Sequence, residues 1–238
     1  VGWYNVPTKL FSTLLVVPSI LSVAFFPRLS RAFRAGVTGL TAEARPALEI
    51  VLILSLPVAV GTALVARQLI WVLYGAPFLP AAPVLSILAL CLPPTYLNMM
   101  ANQVLIAANR QIVWTKVMVA AAVFNPLLNL ELIRAGQSLW GNGALGAALA
   151  LLGTELGMAG AALVLMPRVL NRGSWLRLLR AAAATAGMAA TVWFVSHRGL
   201  AVQVGAGVLV FAALGALFRV LTRGELTQLL HLAGRLRR

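Results

Sequence analysis

Residues 46–73 read PALEIVLILSLPVAVGTALVARQLIWVL. Glu49 near one end and Arg67 near the other are the only charged side chains in these 28 residues. A bilayer core about 30 Å thick needs about 20 mostly apolar residues in helical form, so this run is long enough to cross one. Runs of the same kind occupy 3–26, 81–108, 112–133, 143–166, 176–196 and 200–221. None alternates apolar and polar residues over about ten positions, as a strand of a membrane barrel does. No hydrophilic stretch of domain length separates them. The sequence therefore predicts an all-α, polytopic bundle of about seven transmembrane helices.

Composition points the same way. Of the 238 residues 61% are hydrophobic and 10% charged, against about 45–50% and about 25% in ordinary soluble domains. A water-soluble globule of this size cannot hide so much apolar surface. That excludes a soluble enzyme, a disordered chain and a secreted disulfide scaffold. Cys91 is the one cysteine, so no internal bridge can form. The five acidic residues are all Glu, and His197 and His231 stand alone near the ends of segments. This inventory lacks the clustered ligands of a metallopeptidase and the Asp-rich metal site of a nucleotide-sugar transferase. The last helix has neither the Lys nor the counter-ion of a retinal protein, and no P-loop occurs. No enzyme activity and no cofactor are expected.

The net charge of +14 is strung between apolar runs rather than gathered on a soluble face, so it does not read as a nucleic-acid footprint. It reads as topogenic, because Arg and Lys hold loops on the cytoplasmic side. Loop 27–46 holds Arg28, Arg31, Arg34 and Arg45, while 74–80 holds none. Arg110 and Lys116 bracket the next turn, and Arg134 is alone in the one after. Arg168, Arg172, Arg177 and Arg180 crowd the following loop, Arg198 is alone, and Arg219, Arg223, Arg235, Arg237 and Arg238 fill the tail. Alternate loops are therefore basic. The expectation is that these face the cytoplasm, with Val1 beginning outside and the C-terminus inside. An odd number of spans starting outside suits a fragment with an upstream half.

Pro18, Pro57, Pro93–Pro94 and Pro126 lie well inside the first four spans. Each removes a backbone donor and kinks a helix, and the freed carbonyl must face protein or a wet cavity. Such helices serve moving bundles or simply shape a static one. Gly153 and Gly157 share a face that lets another helix approach closely. The tail puts Leu226, Leu229, Leu230, Ala233 and Leu236 opposite its Arg residues, as an interfacial helix does; a solvated end is the alternative.

Ionisable and amide groups at membrane depth are the candidate functional residues. Lys9 lies in the outer half of the first span, near Tyr4 and Asn5. It is placed either to pair with an anionic substrate group such as a phosphate or to snorkel to the headgroups. Glu155 is central in the fifth span, and Asn125 and Asn129 share one face of the antiparallel fourth. Together they form a proton or cation site, part of a substrate cavity, or plain interhelical hydrogen bonding. Asn98 and Asn102, beyond the Pro93–Pro94 break, make a second polar face with Gln103. Glu49 is spaced to pair with Arg45 at i, i+4.

Two stretches carry a family resemblance: VGWYNVPTKLFSTLLVVPSILSVAFFPRLSRAF at 1–33, and LYGAPFLPAAPVLSILALCLPPTYLNMMANQVLIAANRQ at 73–111. The Asn125–Asn129 span and GALGAALALLGTELG at 143–157 follow in order. This sequence resembles the C-terminal half of bacterial polysaccharide biosynthesis proteins of the oligosaccharide (O-antigen type) flippase family. They belong to the multidrug/oligosaccharidyl-lipid/polysaccharide exporter superfamily. The resemblance implies two six-helix lobes around a central cavity, with an extra helix pair. It implies alternating-access movement of undecaprenyl-diphosphate-linked oligosaccharide across the bacterial inner membrane, for lipopolysaccharide or exopolysaccharide synthesis. On that basis 1–166 is a five-helix part of the C-terminal lobe, 167–222 the extra pair and 223–238 a basic cytoplasmic tail. The partners implied are the lipid-linked oligosaccharide, membrane lipids and an N-terminal lobe of the same protein. Lys9 would take the pyrophosphate, and Asn98, Asn102, Asn125, Asn129 and Glu155 would line or gate the cavity. The rivals are a lipid II flippase, a multidrug and toxin extrusion antiporter using Glu155, and a non-transporting scaffold of a polysaccharide synthase complex.

Overall fold

In a computed structural model the described residues are 2–34, 36–167 and 169–220; the tail at 223–238 lies outside them. Among the described residues there are helices and turns but no strands. The helices are α1 (Gly2–Leu14), α2 (Val16–Arg34), α3 (Val37–Tyr74), α4 (Ala82–Leu90) and α5 (Leu92–Ala107). They continue as α6 (Gln111–Trp140), α7 (Gly143–Leu165), α8 (Arg172–Phe194) and α9 (Leu200–Leu217). A 3₁₀ turn, Ala76–Ala81, leads into α4.

All seven predicted rods are helical. Gly2–Arg34, Val37–Tyr74, Gln111–Trp140, Gly143–Leu165 and Leu200–Leu217 are each long and apolar enough to cross a membrane. The pair Ala76–Leu90 and Leu92–Ala107, bent by 41°, passes the same test when taken together, as a broken sixth crossing or a re-entrant loop. The remaining rod, α8, is a helix of 23 residues but does not reach that apolarity. Its first half carries Arg172, Arg177 and Arg180, and its second half is built on Ala rather than on Leu or Val. The chain is a multi-pass membrane protein.

Helix α3 is the spine. At 38 residues it is about 57 Å long, more than a bilayer core needs, so one end projects beyond it. Gly36 (φ 96°) and Gly75 (φ 80°) bound it in backbone conformations that other residues adopt only under strain. The main core joins α2, α3, α5 and α7 through Leu29, Leu48, Val51, Leu92, Met100 and Ala148. α8 and α9 pack against α3 through smaller clusters: Ile53 with Ala181, and Val65 with Met188 and Val192.

The turns sort to two ends. Asn142 Nδ2 donates to Pro80 O at 3.0 Å, joining the α6–α7 turn to the 3₁₀ turn. Gln68 Nε2 donates to Ser196 O at 2.9 Å, joining the far half of α3 to the α8–α9 turn. At the other end Arg45 Nε reaches Val169 O at 2.9 Å, and Arg110 Nη1 reaches Leu165 O at 2.9 Å. The basic turns recognised in the sequence thus share one end of the bundle.

Two of the four proline sites break their helix. Helix α1 gives way to α2 at Leu15, three residues before Pro18, and α4 to α5 at Cys91, before Pro93–Pro94. Helices α3 and α6 run on through Pro57 and Pro126. Pro18 has no N–H for the Leu14 carbonyl, and the buried Tyr96 hydroxyl of α5 donates to that carbonyl at 2.7 Å. The carbonyl that lipid cannot satisfy is therefore satisfied by protein. Tyr96→Phe is expected to cost about 1–3 kcal/mol, the penalty of a buried acceptor left bare. Pro18→Ala in the same chain restores a backbone donor and should recover most of the loss, measured by thermal unfolding in detergent.

Candidate functional site

The polar groups at mid-depth are held by α5, α6 and α7. Helix α7 starts at Asn142, whose Oδ1 accepts from Ala144 N at 3.2 Å. Farther along, Thr154 and Glu155 are successive residues, so they point about 100° apart on the helix. Thr154 faces α6: its hydroxyl accepts from Asn125 Nδ2 at 2.9 Å and donates to Ala150 O at 2.8 Å. Asn129 Nδ2 donates back to Asn125 Oδ1 and O, both at 2.9 Å. Glu155 faces α5. Its Oε2 accepts from Asn98 Nδ2 at 2.7 Å, and its backbone carbonyl accepts from the same amide at 3.0 Å.

Asn98 is only 5% exposed, and its Oδ1 has no hydrogen-bond partner among the described residues. Buried Thr95 lies on the preceding turn. Asn102 continues that face one turn on and is half-buried. Asn98 and Glu155 are thus brought together, as are Asn125, Asn129 and Thr154, in two layers that share the middle of α7. The expected pairing of Glu155 with the α6 asparagines is replaced by pairing with α5. Thr95 and Thr154 complete these layers. Their signal in the sequence is one helical turn of spacing from Asn98 in the first case and direct adjacency to Glu155 in the second.

Lys9 is not part of either layer. It is exposed on α1, a helix that packs against α4 and the 3₁₀ turn. Glu49 is 4% exposed, and its carboxylate forms an ion pair with Arg177 of α8, a partner that the i, i+4 reading does not reach. Among the described residues no group of three His, Cys or acidic side chains is placed to hold a metal.

Two open clefts run between helices, of which the second borders a polar layer at Thr154. One, of about 480 Å³ between α3, α8 and α9, is apolar and lined by Leu54, Pro57, Val65, Met188, Val208 and Phe211. The other, of about 420 Å³, opens between α6 and α7 along Ala120, Ala121, Phe124, Gly153, Thr154 and Gly157. Nothing lies within 4 Å of a Cβ built on Gly157. The close helix approach expected of the small residues is made instead at the other end of the hairpin. There a Cβ on Gly146 would sit 1.8 Å from Leu132 O, and one on Gly136 would sit 2.9 Å from Gly146 N. The α6–α7 hairpin is pinched near its turn and splayed beyond it. The wall of this cleft is apolar but for the Thr154 hydroxyl, while the Glu155 carboxylate faces Asn98 of α5.

Fold and polar layers together define a polytopic helical membrane protein. Among solved structures the fold is similar to that of the lipid II flippase MurJ in an inward closed conformation. The TM-score is 0.72 at 17% sequence identity, over 91% of this chain and 46% of that one. The chain thus spans about half the length of the structure it matches. No protein-family model matches the sequence, and no curated protein matches it.

Proposed function

We propose that this chain forms the C-terminal lobe and extra helix pair of a flippase for polyprenyl-diphosphate-linked oligosaccharides. The observation that carries the reading is a carboxylate–amide pair, Glu155–Asn98, held at mid-depth in a bundle of this fold. A polar group there is costly unless it serves a pathway. In this reading Asn98, Asn102, Asn125, Asn129 and Glu155 face or gate the path of the sugar, and Lys9 meets the diphosphate. The apolar cleft between α3, α8 and α9 gives the hydrocarbon tail a seat continuous with the bilayer. Residues 1–166 form the transporting lobe and 167–222 the helix pair that walls this cleft. The outward faces of α6, with Val123, Phe124, Leu127 and Leu130 more than half exposed, are where a second lobe packs. The basic end is cytoplasmic, by the positive-inside rule, in a bacterial inner membrane.

The undecaprenyl-linked precursor of a surface polysaccharide is the substrate suggested by the sequence resemblance. Lipid II is the second reading, supported by the likeness of the fold to MurJ. Lys9→Ala is expected to lower export of the cognate glycan about tenfold, the worth of one charge-assisted contact, with membrane insertion unchanged. Loss of surface polysaccharide supports the first reading, and cell lysis with inward-trapped lipid II supports the second. Unchanged export of both removes Lys9 from the diphosphate. A scaffold that does not transport predicts no export defect from Lys9, Asn98 or Glu155 variants.

A further inference from the structure

Where α5 packs against the middle of α7, two buried oxygens are left bare beside a carboxylate. Thr95 and Asn98 are one helical turn apart on α5, so both face the same way. They are 7% and 5% exposed, and neither Thr95 Oγ1 nor Asn98 Oδ1 has a hydrogen-bond partner among the described residues. Asn98 Nδ2 is committed to Glu155 Oε2 and to the Glu155 carbonyl. Oδ1 shares one planar amide with Nδ2, so it lies next to that carboxylate, and the Thr95 hydroxyl approaches the same group. A buried polar atom without a partner is costly, and each such atom asks for an explanation.

The carboxylate itself lacks a counter-charge. Among the described residues Glu155 forms no ion pair with a Lys or Arg. The polar groups that face it are Asn98, Thr95 and the Cys91 thiol. Cys91 closes α4, so the negative end of that helix dipole adds to the same side. A carboxylate at membrane depth requires a cation or a proton.

The two bare oxygens decide between them. A proton on the carboxyl donates one hydrogen bond and leaves the other acceptor unsatisfied, whereas a cation attracts all three oxygens at once. One carboxylate with two neutral oxygens supplies hard ligands and a single negative charge. That set suits an alkali cation better than a divalent or thiolate-seeking metal. We propose that Thr95 Oγ1, Asn98 Oδ1 and the Glu155 carboxylate form a binding site for one alkali cation, sodium or potassium. The cation ties α5 to α7 one turn past the α4–α5 break. The inference shares Asn98 and Glu155 with the proposed sugar path but rests on these atoms alone. Its test measures binding without transport, so its failure leaves that reading to the Lys9 variant.

Thermal unfolding of the purified protein in detergent tests it, in sodium, potassium or choline chloride at one ionic strength. Sodium or potassium at about ten times its dissociation constant should raise the midpoint by about 3–6 °C over choline, in a saturable way. Glu155→Gln keeps the shape of the side chain without its charge and should abolish the shift. Thr95→Ala keeps the charge and should raise the half-saturating concentration about tenfold, the loss of one ligand; it carries the test if Glu155→Gln does not fold. Glu131→Gln, at an exposed carboxylate of α6, should leave the shift unchanged. Equal midpoints in all three salts overturn the proposal. So does a shift that survives in Glu155→Gln, half-saturation unchanged in Thr95→Ala, or an equal loss in Glu131→Gln. Stabilisation by acid in choline, with no response to either alkali cation, also overturns it and marks a carboxyl that takes a proton instead.

Discussion

Arg177→Met is expected to destabilise the bundle by about 3–5 kcal/mol, the usual consequence of stranding one member of a buried ion pair. Glu49 is 4% exposed and sits on the α3 spine, so water cannot rescue its carboxylate once the guanidinium is gone. Arg177 also donates through Nη2 to Val220 O at 3.1 Å, so the same change frees the chain segment after α9. The double variant Glu49→Leu with Arg177→Met removes both charges and should recover most of the loss. Thermal unfolding in detergent separates these outcomes: a large fall for the single variant and a small one for the double. A single variant as stable as the parent would mean that α8 is held to α3 by apolar contact alone.

Gly146→Ala is expected to cost at least about 3 kcal/mol, at the upper end of overpacking penalties. The added Cβ would meet backbone, 1.8 Å from Leu132 O and 2.3 Å from Leu132 C, and backbone has no rotamer by which to move aside. The hairpin must open at its pinched end, which also pulls on the Asn125–Thr154 bond farther along. Gly157→Ala adds the same methyl into open space and should be close to neutral. The contrast, read from unfolding midpoints, distinguishes a pinched hairpin from one evenly packed along its length. Equal effects at both glycines would show even packing.

Much of the architecture is legible in the sequence because its signals are local. A span is a property of consecutive residues, so the apolar runs mark the helices, although α8 falls short of the apolarity of a crossing. Prolines act on the turn that precedes them, and Pro18 and Pro93–Pro94 do interrupt their helices as such residues do. Which face meets which neighbour is not a local property. Chain order pairs Glu155 with Asn125 and Asn129 because α6 precedes α7, yet α7 touches both α5 and α6. The 100° step from Thr154 to Glu155 decides which of the two residues faces which helix. Helical spacing pairs Glu49 with Arg45 four residues away, but its ion-pair partner Arg177 lies 128 residues along. That pairing depends on α8 folding back against α3. The small residues at 153–160 permit close approach, but the close approach is made at Gly136 and Gly146. Lys9 is exposed on α1, apart from the hydrogen-bonded amide layers of α5–α7, which leaves its role to transport measurements.

Whether the two ends seen in the bundle are the two faces of a membrane is the test that bears most directly on this account. Single cysteines at Arg31 and at Gly173, with others at Phe78 and at His197, can be probed in intact cells by a membrane-impermeant thiol reagent, in a Cys91→Ser background. The account predicts that the first pair is protected until the membrane is permeabilised and that the second pair reacts at once. Labelling of Arg31→Cys and Gly173→Cys from opposite sides would contradict it.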